Sequence, residues 1–384
     1  MLKHSMESIQ LKICMVVPLP PPYGGIANWY SLISKYVSEK KNIVFIPLNN
    51  ASKSQRKKKS GVRPLFDRIV ISGFELFSIR NAFYEIVREF NPDVVHITTS
   101  GQLAIIRDIV LLRYAKRKGI PSVYHIRFGR VQDISKRDTI EWRMLKYAVS
   151  KADITIAIDR ATELSLVSEC RNADIRYIPN PFDIRIIENI RSSSSKRKRI
   201  VFIGWVIKTK GIEELLEAWD NLNEVSRHYS LEIIGPGEKN YITELNNKYF
   251  CNNVEFIGEL NHDDVLNRLS VAKALILPSY TEGFPNSVLE AMALRIPVIA
   301  TSVGAIPEML ADDCGFLIEP KSSKAIEEAI ILMLTNEKRT REMAEKAYRK
   351  LINDYSLFRI MDCYEAVWRK LKCSRRLSVD STTQ

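Results

Sequence analysis

The second half of the chain alternates short apolar runs with helical patterns, and that alternation leaves few folds open. Ile200 to Gly204, Leu231 to Gly235, Val254 to Gly258, Ala274 to Pro278, Pro297 to Thr301 and Phe316 to Glu319 read as strands. Helical stretches such as Ile212 to Val225 separate them. Regular alternation of this kind implies right-handed β-α-β units and a parallel sheet. Ligands of such sheets bind beyond the carboxyl ends of the strands, which directs attention to the loops.

The loop after Pro278 runs Ser279-Tyr280-Thr281-Glu282-Gly283-Phe284-Pro285-Asn286 and turns into a helix. Proline suits a first turn and asparagine a cap, so the helix is expected to begin near Pro285 and Asn286. Val288, Leu289 and Met292 give it an apolar face, on which Glu290 is the misfit. Asn286 and Glu290 lie four apart and share a side. A carboxylate among core residues is costly unless something hydrogen-bonds it, and a sugar diol offers two donors to its two oxygens. Glu282 precedes the same helix, where unpaired amides and the positive dipole end gather polar ligands. The bland alternative is a dipole-compensating Glu282 and a Glu290 bonded to neighbouring backbone.

Glu282 and Glu290, with Gly-Phe-Pro-Asn-Ser between them, resemble the E-x7-E signature of the retaining glycosyltransferases of family 4. Asn180-Pro181, Phe202-Ile203-Gly204, Lys210-Gly211, Ile233-Ile234-Gly235, Phe256-Ile257-Gly258 and Gly304-Ala305-Ile306-Pro307-Glu308 match the family in order. The resemblance is specific from about Ile178 to Glu319 and weaker before that. It implies an α/β chain of GT-B type: two Rossmann-like, doubly wound parallel-sheet domains facing across a cleft. On that basis residues 1–180 form an acceptor-side domain, 181–198 a linker and 199–353 a nucleotide-sugar-binding domain. A helix over 354–372 returns to the first domain, and 373–384 form a disordered tail.

Gly204-Trp205-Val206-Ile207-Lys208-Thr209-Lys210-Gly211 joins a strand to a helix, placing Lys210 where an ammonium and backbone donors can face a diphosphate. Lysine is also a common surface residue. The resemblance puts Lys210-Gly211 on the family's donor-phosphate lysine and makes Glu290 the ribose ligand. It has Glu282, with the amides of Gly283 and Phe284, bind and orient the sugar. Trp205 departs from the pattern, since the family usually has arginine there as a second cation; Lys208 is the nearest substitute.

In the first half, Leu11 to Val17 reads as a strand and Pro18 to Gly25 as a loop into a helix. Gly24 and Gly25 would let backbone amides approach a ligand, or simply make a tight turn. Asn91 to His96 and Ile120 to His125 are strands ending in histidine. Such residues are often structural, but His125 resembles the family's cleft histidine near the transferred sugar. Arg127 and Arg130 could receive an acceptor phosphate or be surface charge.

A chain of 384 residues with 46% apolar content can bury a large core and suggests two domains. No apolar run approaches the ~18 to 20 residues of a spanning helix, and the start does not resemble a cleaved signal, so a cytosolic home is expected. Six scattered cysteines lack a C-x-x-C pair, and no D-x-D or clustered ligand set suggests a metal, so neither metal nor cofactor is expected. The net charge of +12 comes without interleaved aromatics or a nucleic-acid motif, so no nucleic-acid partner is expected. Anionic lipid and nucleotide diphosphates fit better. The run Lys53 to Arg63, beside Leu65, Phe66, Ile69, Val70, Phe74 and Phe77, is either a solvated loop or a surface-docking element on an anionic leaflet.

The expectation is a metal-independent, retaining glycosyltransferase using a nucleotide-diphosphate sugar and a glycan or lipid-linked acceptor at the cytoplasmic membrane face. Two rivals stay open: an epimerase or hydrolase of the same fold, and a catalytically degenerate, nucleotide-binding partner subunit.

Overall fold

The computed structural model describes residues 10–21, 24–51, 65–188, 190, 198–249 and 253–380, with backbone alone at 65–75, 226 and 376–380. The basic run at 53–63 lies outside these. The chain divides into two compact units, Met1–Pro179 with Ile360–Gln384, and Asn180–Arg359.

The first unit holds strands β1 (Leu11–Val17), β2 (Ile43–Asn49), β3 (Val94–Thr99), β4 (Ser122–Ile126), β5 (Ile154–Ala157) and β6 (Ile175–Tyr177). Their order is β2-β1-β3-β4-β5-β6, with every pairing parallel. Every residue of β3, β4 and β5 is buried. Helices therefore cover both faces, as in a parallel sheet of continuous apolar strands.

The second unit holds β7 (Arg199–Ile203), β8 (Ser230–Ile234), β9 (Val254–Gly258), β10 (Ala274–Leu277), β11 (Val298–Thr301) and β12 (Phe316–Ile318). Their order, β12-β11-β10-β7-β8-β9, is also parallel throughout. Connections run one way from β7 and the other way from β10, so the topological switch point lies between them. The loops after β7 and β10 are thus neighbours by topology.

Three expectations on the local structure change. The helix expected over Ile212 to Val225 breaks at Leu222 into Ile212–Asn221 and Asn223–His228. The segment read as linker from residue 181 is structured at its start: Asp183 caps a 3-10 turn at Ile184–Ile187, and the Phe182 amide donates to the Tyr355 carbonyl at 2.8 Å. The last helix runs Leu357–Asp380 rather than ending at Lys372. Its predicted polar tail continues the helix because serine and arginine, unlike glycine or proline, do not terminate one. No described helix is long and apolar enough to cross a membrane.

Candidate active site

The loop after β7 makes a 3-10 turn at Lys208–Lys210 and then places Gly211 in the left-handed region, φ 68°, as the cap of the Ile212–Asn221 helix. A Cβ there would stand 2.1 Å from the Pro278 carbonyl oxygen, so glycine is needed for conformation and for clearance. The Tyr280 amide donates to the Thr209 carbonyl at 2.9 Å, tying this turn to the loop after β10. Within that junction Lys210 Nζ lies 2.5 Å from Glu282 Oε1, and the Ser279 hydroxyl donates to the same oxygen at 2.6 Å. The lysine and glutamate side chains keep 21% and 11% exposure. Behind Glu282, Gly304 has φ 56°, and its Cβ would come within 2.2 Å of the Glu282 carbonyl oxygen.

The next helix spans Asn286–Ala293. Pro285 takes the cap position, extended and without a side-chain cap bond, so Asn286 is not the cap that its residue type suggested. Its side-chain oxygen instead accepts from Asn180 Nδ2 at 3.5 Å, and the same nitrogen donates to the Phe284 carbonyl at 3.2 Å. Phe284 is buried, its ring edge-on to Tyr355. Glu290 is 8% exposed, as its apolar neighbours require. Its Oε1 lies 2.9 Å from His262 Nε2. Of the two partners expected for Glu290, a sugar diol or neighbouring backbone, the structure shows neither, but a histidine side chain of the same unit. The hydrogen bond to Glu290 raises the His262 pKa, with burial opposing. Sequence reasoning missed His262; its one local signal is its place directly after Asn261, which caps the His262–Ser270 helix.

Gly204 follows β7, its amide donating to the Ile234 carbonyl at 2.9 Å. Trp205 beside it is 49% exposed. Lys208 Nζ is 3.9 Å from Glu213 Oε1, a carboxylate it shares with Lys248, and its side chain is 70% exposed.

In the first unit Gly24 caps the Gly25–Ser38 helix, and a Cβ on either glycine would meet nothing within 4 Å. His125, at the end of β4, is fully buried with His96, and Trp29, Tyr364 and Trp368 pack around the two rings. Burial, then Arg127 and His96, pull its pKa well below the ordinary value. Arg127 is no surface charge: it is 8% exposed, its guanidinium 4.3 Å from the Trp29 ring centre. Burial lowers its pKa to about 10, with Tyr364 opposing. Arg130 is held by Glu141 in an ion pair, so its charge is already answered within the unit. Among the described residues no group of three His, Cys, Asp or Glu side chains could hold a metal ion.

Two doubly wound parallel sheets, with a charged pair at the switch point of the second, define the class: the fold is GT-B. The sucrose-phosphate synthase of Thermosynechococcus elongatus superposes with a TM-score of 0.78 at 16% identity, over 95% of this chain and 100% of that one. Anabaena HepE, solved in complex with UDP, gives 0.67 at 16%, over 93% and 99%. Residues 34–185 match the family model described as Glycosyltransferase Family 4, and residues 183–350 match Glycosyl transferases group 1. The chain belongs to the family 4 glycosyltransferases. It is similar to TuaC of Bacillus subtilis, a glycosyltransferase named for teichuronic acid biosynthesis, at 26% identity over 63% of this chain and 61% of that one. It is also similar to the N-acetyl-alpha-D-glucosaminyl L-malate synthase of Bacillus anthracis, at 22% over 79% and 83%.

Proposed function

We propose that the protein is a retaining glycosyltransferase that moves a sugar from a nucleotide diphosphate to a glycan or lipid-linked acceptor in polysaccharide or lipopolysaccharide biosynthesis. The observation that carries this reading is the meeting of Lys210 and Glu282 at the switch point of the second sheet. Lys210, beside the N-terminus of the Ile212–Asn221 helix, supplies positive charge to a departing diphosphate. Neutralisation by lysine and helix amides needs no metal, so the proposed reaction is metal-independent. Glu282, engaged by Lys210 and Ser279, orients sugar hydroxyls; Glu290, sharing its carboxylate with His262, takes the ribose diol. With Glu282 Oε1 already accepting two hydrogen bonds, retention by front-face attack fits better than a covalent intermediate on this carboxylate. The names of TuaC and of HepE's UDP complex support a sugar nucleotide and a cell-envelope glycan.

Release of nucleoside diphosphate from a panel of nucleotide sugars, with and without acceptor, tests this reading. Release that depends on acceptor, with α-configured product from an α-donor, is expected. Isomerised or hydrolysed sugar without acceptor would favour the epimerase reading instead. The proposed site of action is the cytoplasmic membrane face, supported by the net charge of +12. Replacing Arg56, Lys57, Lys58 and Lys59 with serine should then weaken binding to anionic vesicles, and unchanged binding removes the membrane claim.

A second reading has an observation of its own. Trp205 brings no cation to the diphosphate, and the nearest replacement, Lys208, leans toward Glu213. A nucleotide-binding partner subunit without turnover would look like this. Large gain of transfer in Trp205→Arg supports that subunit reading, whereas a neutral or harmful effect supports the enzyme.

A further inference from the structure

Two glutamates occupy the first turn of the Ile212–Asn221 helix, and side chains from elsewhere in the second unit answer both. Glu213 accepts from Lys248 at 2.9 Å and from the Tyr241 hydroxyl at 3.4 Å. Glu214 Oε1 accepts from the hydroxyl of Tyr280, on the loop after β10. Its other oxygen, Oε2, is buried and has no hydrogen-bond partner among the described residues.

A glutamate at the third helical position ordinarily folds back onto the amide of the cap residue. Here that amide is taken, because Gly211 donates to the Lys208 carbonyl at 3.1 Å. The first helical hydrogen bond runs from the Leu215 amide to the Gly211 carbonyl at 3.1 Å, so the amides of Ile212, Glu213 and Glu214 have no intrahelical acceptor. Anions are drawn to such a turn, and a loose Glu214 carboxylate would be one of them. It would compete for the amides, and its charge would oppose a diphosphate arriving at the same place.

Tyr280 prevents this from a fixed position. Its amide donates to the Thr209 carbonyl at 2.9 Å, and the carbonyl of Ser279 before it accepts from the Thr301 hydroxyl at 2.5 Å. Lys321 Nζ stands 5.1 Å from the centre of its ring. Burial first, then the bond to Glu214, raises the pKa of the phenol, so it keeps its proton and stays a donor wherever the carboxylate is charged.

We infer that Tyr280 is a positioning residue for donor binding: its hydroxyl holds the Glu214 carboxylate, so that the amides of the helix N-terminus stay open to a diphosphate. Resting on the glycosyltransferase reading for the nature of its ligand, this restraint differs in sign from a plain structural strut. In a strut both partners favour binding; here Glu214 works against binding and Tyr280 cancels the effect.

Affinity of the full chain for inorganic pyrophosphate, measured by calorimetry, separates the two. Tyr280→Phe keeps the ring and releases the carboxylate, and should weaken binding about tenfold. Glu214→Gln keeps an acceptor for the hydroxyl and removes the charge, and should bind as tightly as the parent or up to about threefold tighter. The double variant Tyr280→Phe/Glu214→Gln should return to within about twofold of the parent, a rescue that a strut does not give. Parental affinity in Tyr280→Phe overturns the proposal, as does Glu214→Gln that binds as weakly as Tyr280→Phe, a double variant that stays weak, or a parent that does not bind pyrophosphate. Should Tyr280→Phe not fold, Glu214→Gln still decides, by whether its affinity holds or falls. In turnover the same order should appear in donor KM, with kcat within about threefold. Failure of the glycosyltransferase reading would appear separately, as absent turnover in proteins whose pyrophosphate affinities keep the expected order.

Discussion

Lys210 and Glu282 are 72 residues apart in the chain and 2.5 Å apart in space, the first on the loop after β7 and the second on the loop after β10. Removing one preorganised charge from a developing diphosphate costs about 2.7 kcal/mol, or roughly a hundredfold in kcat. Lys210→Ala should show that loss in steady-state release of nucleoside diphosphate. Glu282→Gln should lose less, since Ser279 and Lys210 can still hold an amide oxygen. Equal activity in Lys210→Ala and the parent would remove Lys210 from the reaction.

The contact between His262 and Glu290 makes donor binding depend on pH. A histidine whose pKa is raised by its partner stabilises the folded state fully below its unfolded value near 6.5, and loses that contribution as pH rises through the raised value. As the charged pair relaxes, Glu290 becomes available to a ribose diol. Nucleoside diphosphate affinity, followed by calorimetry, should therefore rise several-fold from about pH 6 to pH 8.5, and His262→Asn should flatten the profile. Glu290→Gln should weaken binding about tenfold at pH 8.5, the worth of one charge-assisted hydrogen bond, and by less at pH 6, where His262 competes for the carboxylate.

His96 and His125 act in the opposite sense on stability. Both pKa values are lowered in the folded state, so unfolding takes up protons wherever pH is below about 6.5. Their contribution is complete above that value and declines as pH falls, by about 1.4 kcal/mol per pH unit for each ring. Denaturant midpoints measured from pH 7 to pH 4 should show this slope, and His96→Asn should remove about half of it. A midpoint flat over that range would contradict the buried, neutral pair.

Gly304→Ala tests the backing of the sugar loop. Its φ of 56° costs an L-residue about 1–2 kcal/mol, and the new methyl would press into the Glu282 carbonyl. The melting temperature should drop by several degrees, and the donor KM should rise because the Glu282 peptide has to shift. Unaltered kinetics in a folded variant would show that the loop position does not matter for the donor.

Much of this fold is legible because parallel strands buried on both faces leave continuous apolar runs, as at Val94–Thr99 and Ala274–Leu277. Lys210, Glu282 and Glu290 stand out as charges at strand-to-helix junctions, a local signal. Their partners do not. His262 reaches Glu290 across 28 residues, and Trp368 reaches His96 across 272, with nothing in either neighbourhood to announce the contact. Arg127 looks like surface charge until the strand pairing buries it beside Trp29. Helix ends were misread for a physical reason as well: Pro285 fits an extended cap position as readily as a first turn, and no residue at 373–380 breaks a helix.

The near-contact of Gly211 with the Pro278 carbonyl has a consequence for redesign. Residues 204–211 and 278–285 form one cassette: a segment grafted from a relative into either turn brings its own clearance, and only the matching segment fits. Attempts to change the accepted sugar by exchanging a single turn should mostly yield misfolded protein, whereas paired exchanges keep the scaffold intact and sample specificity alone.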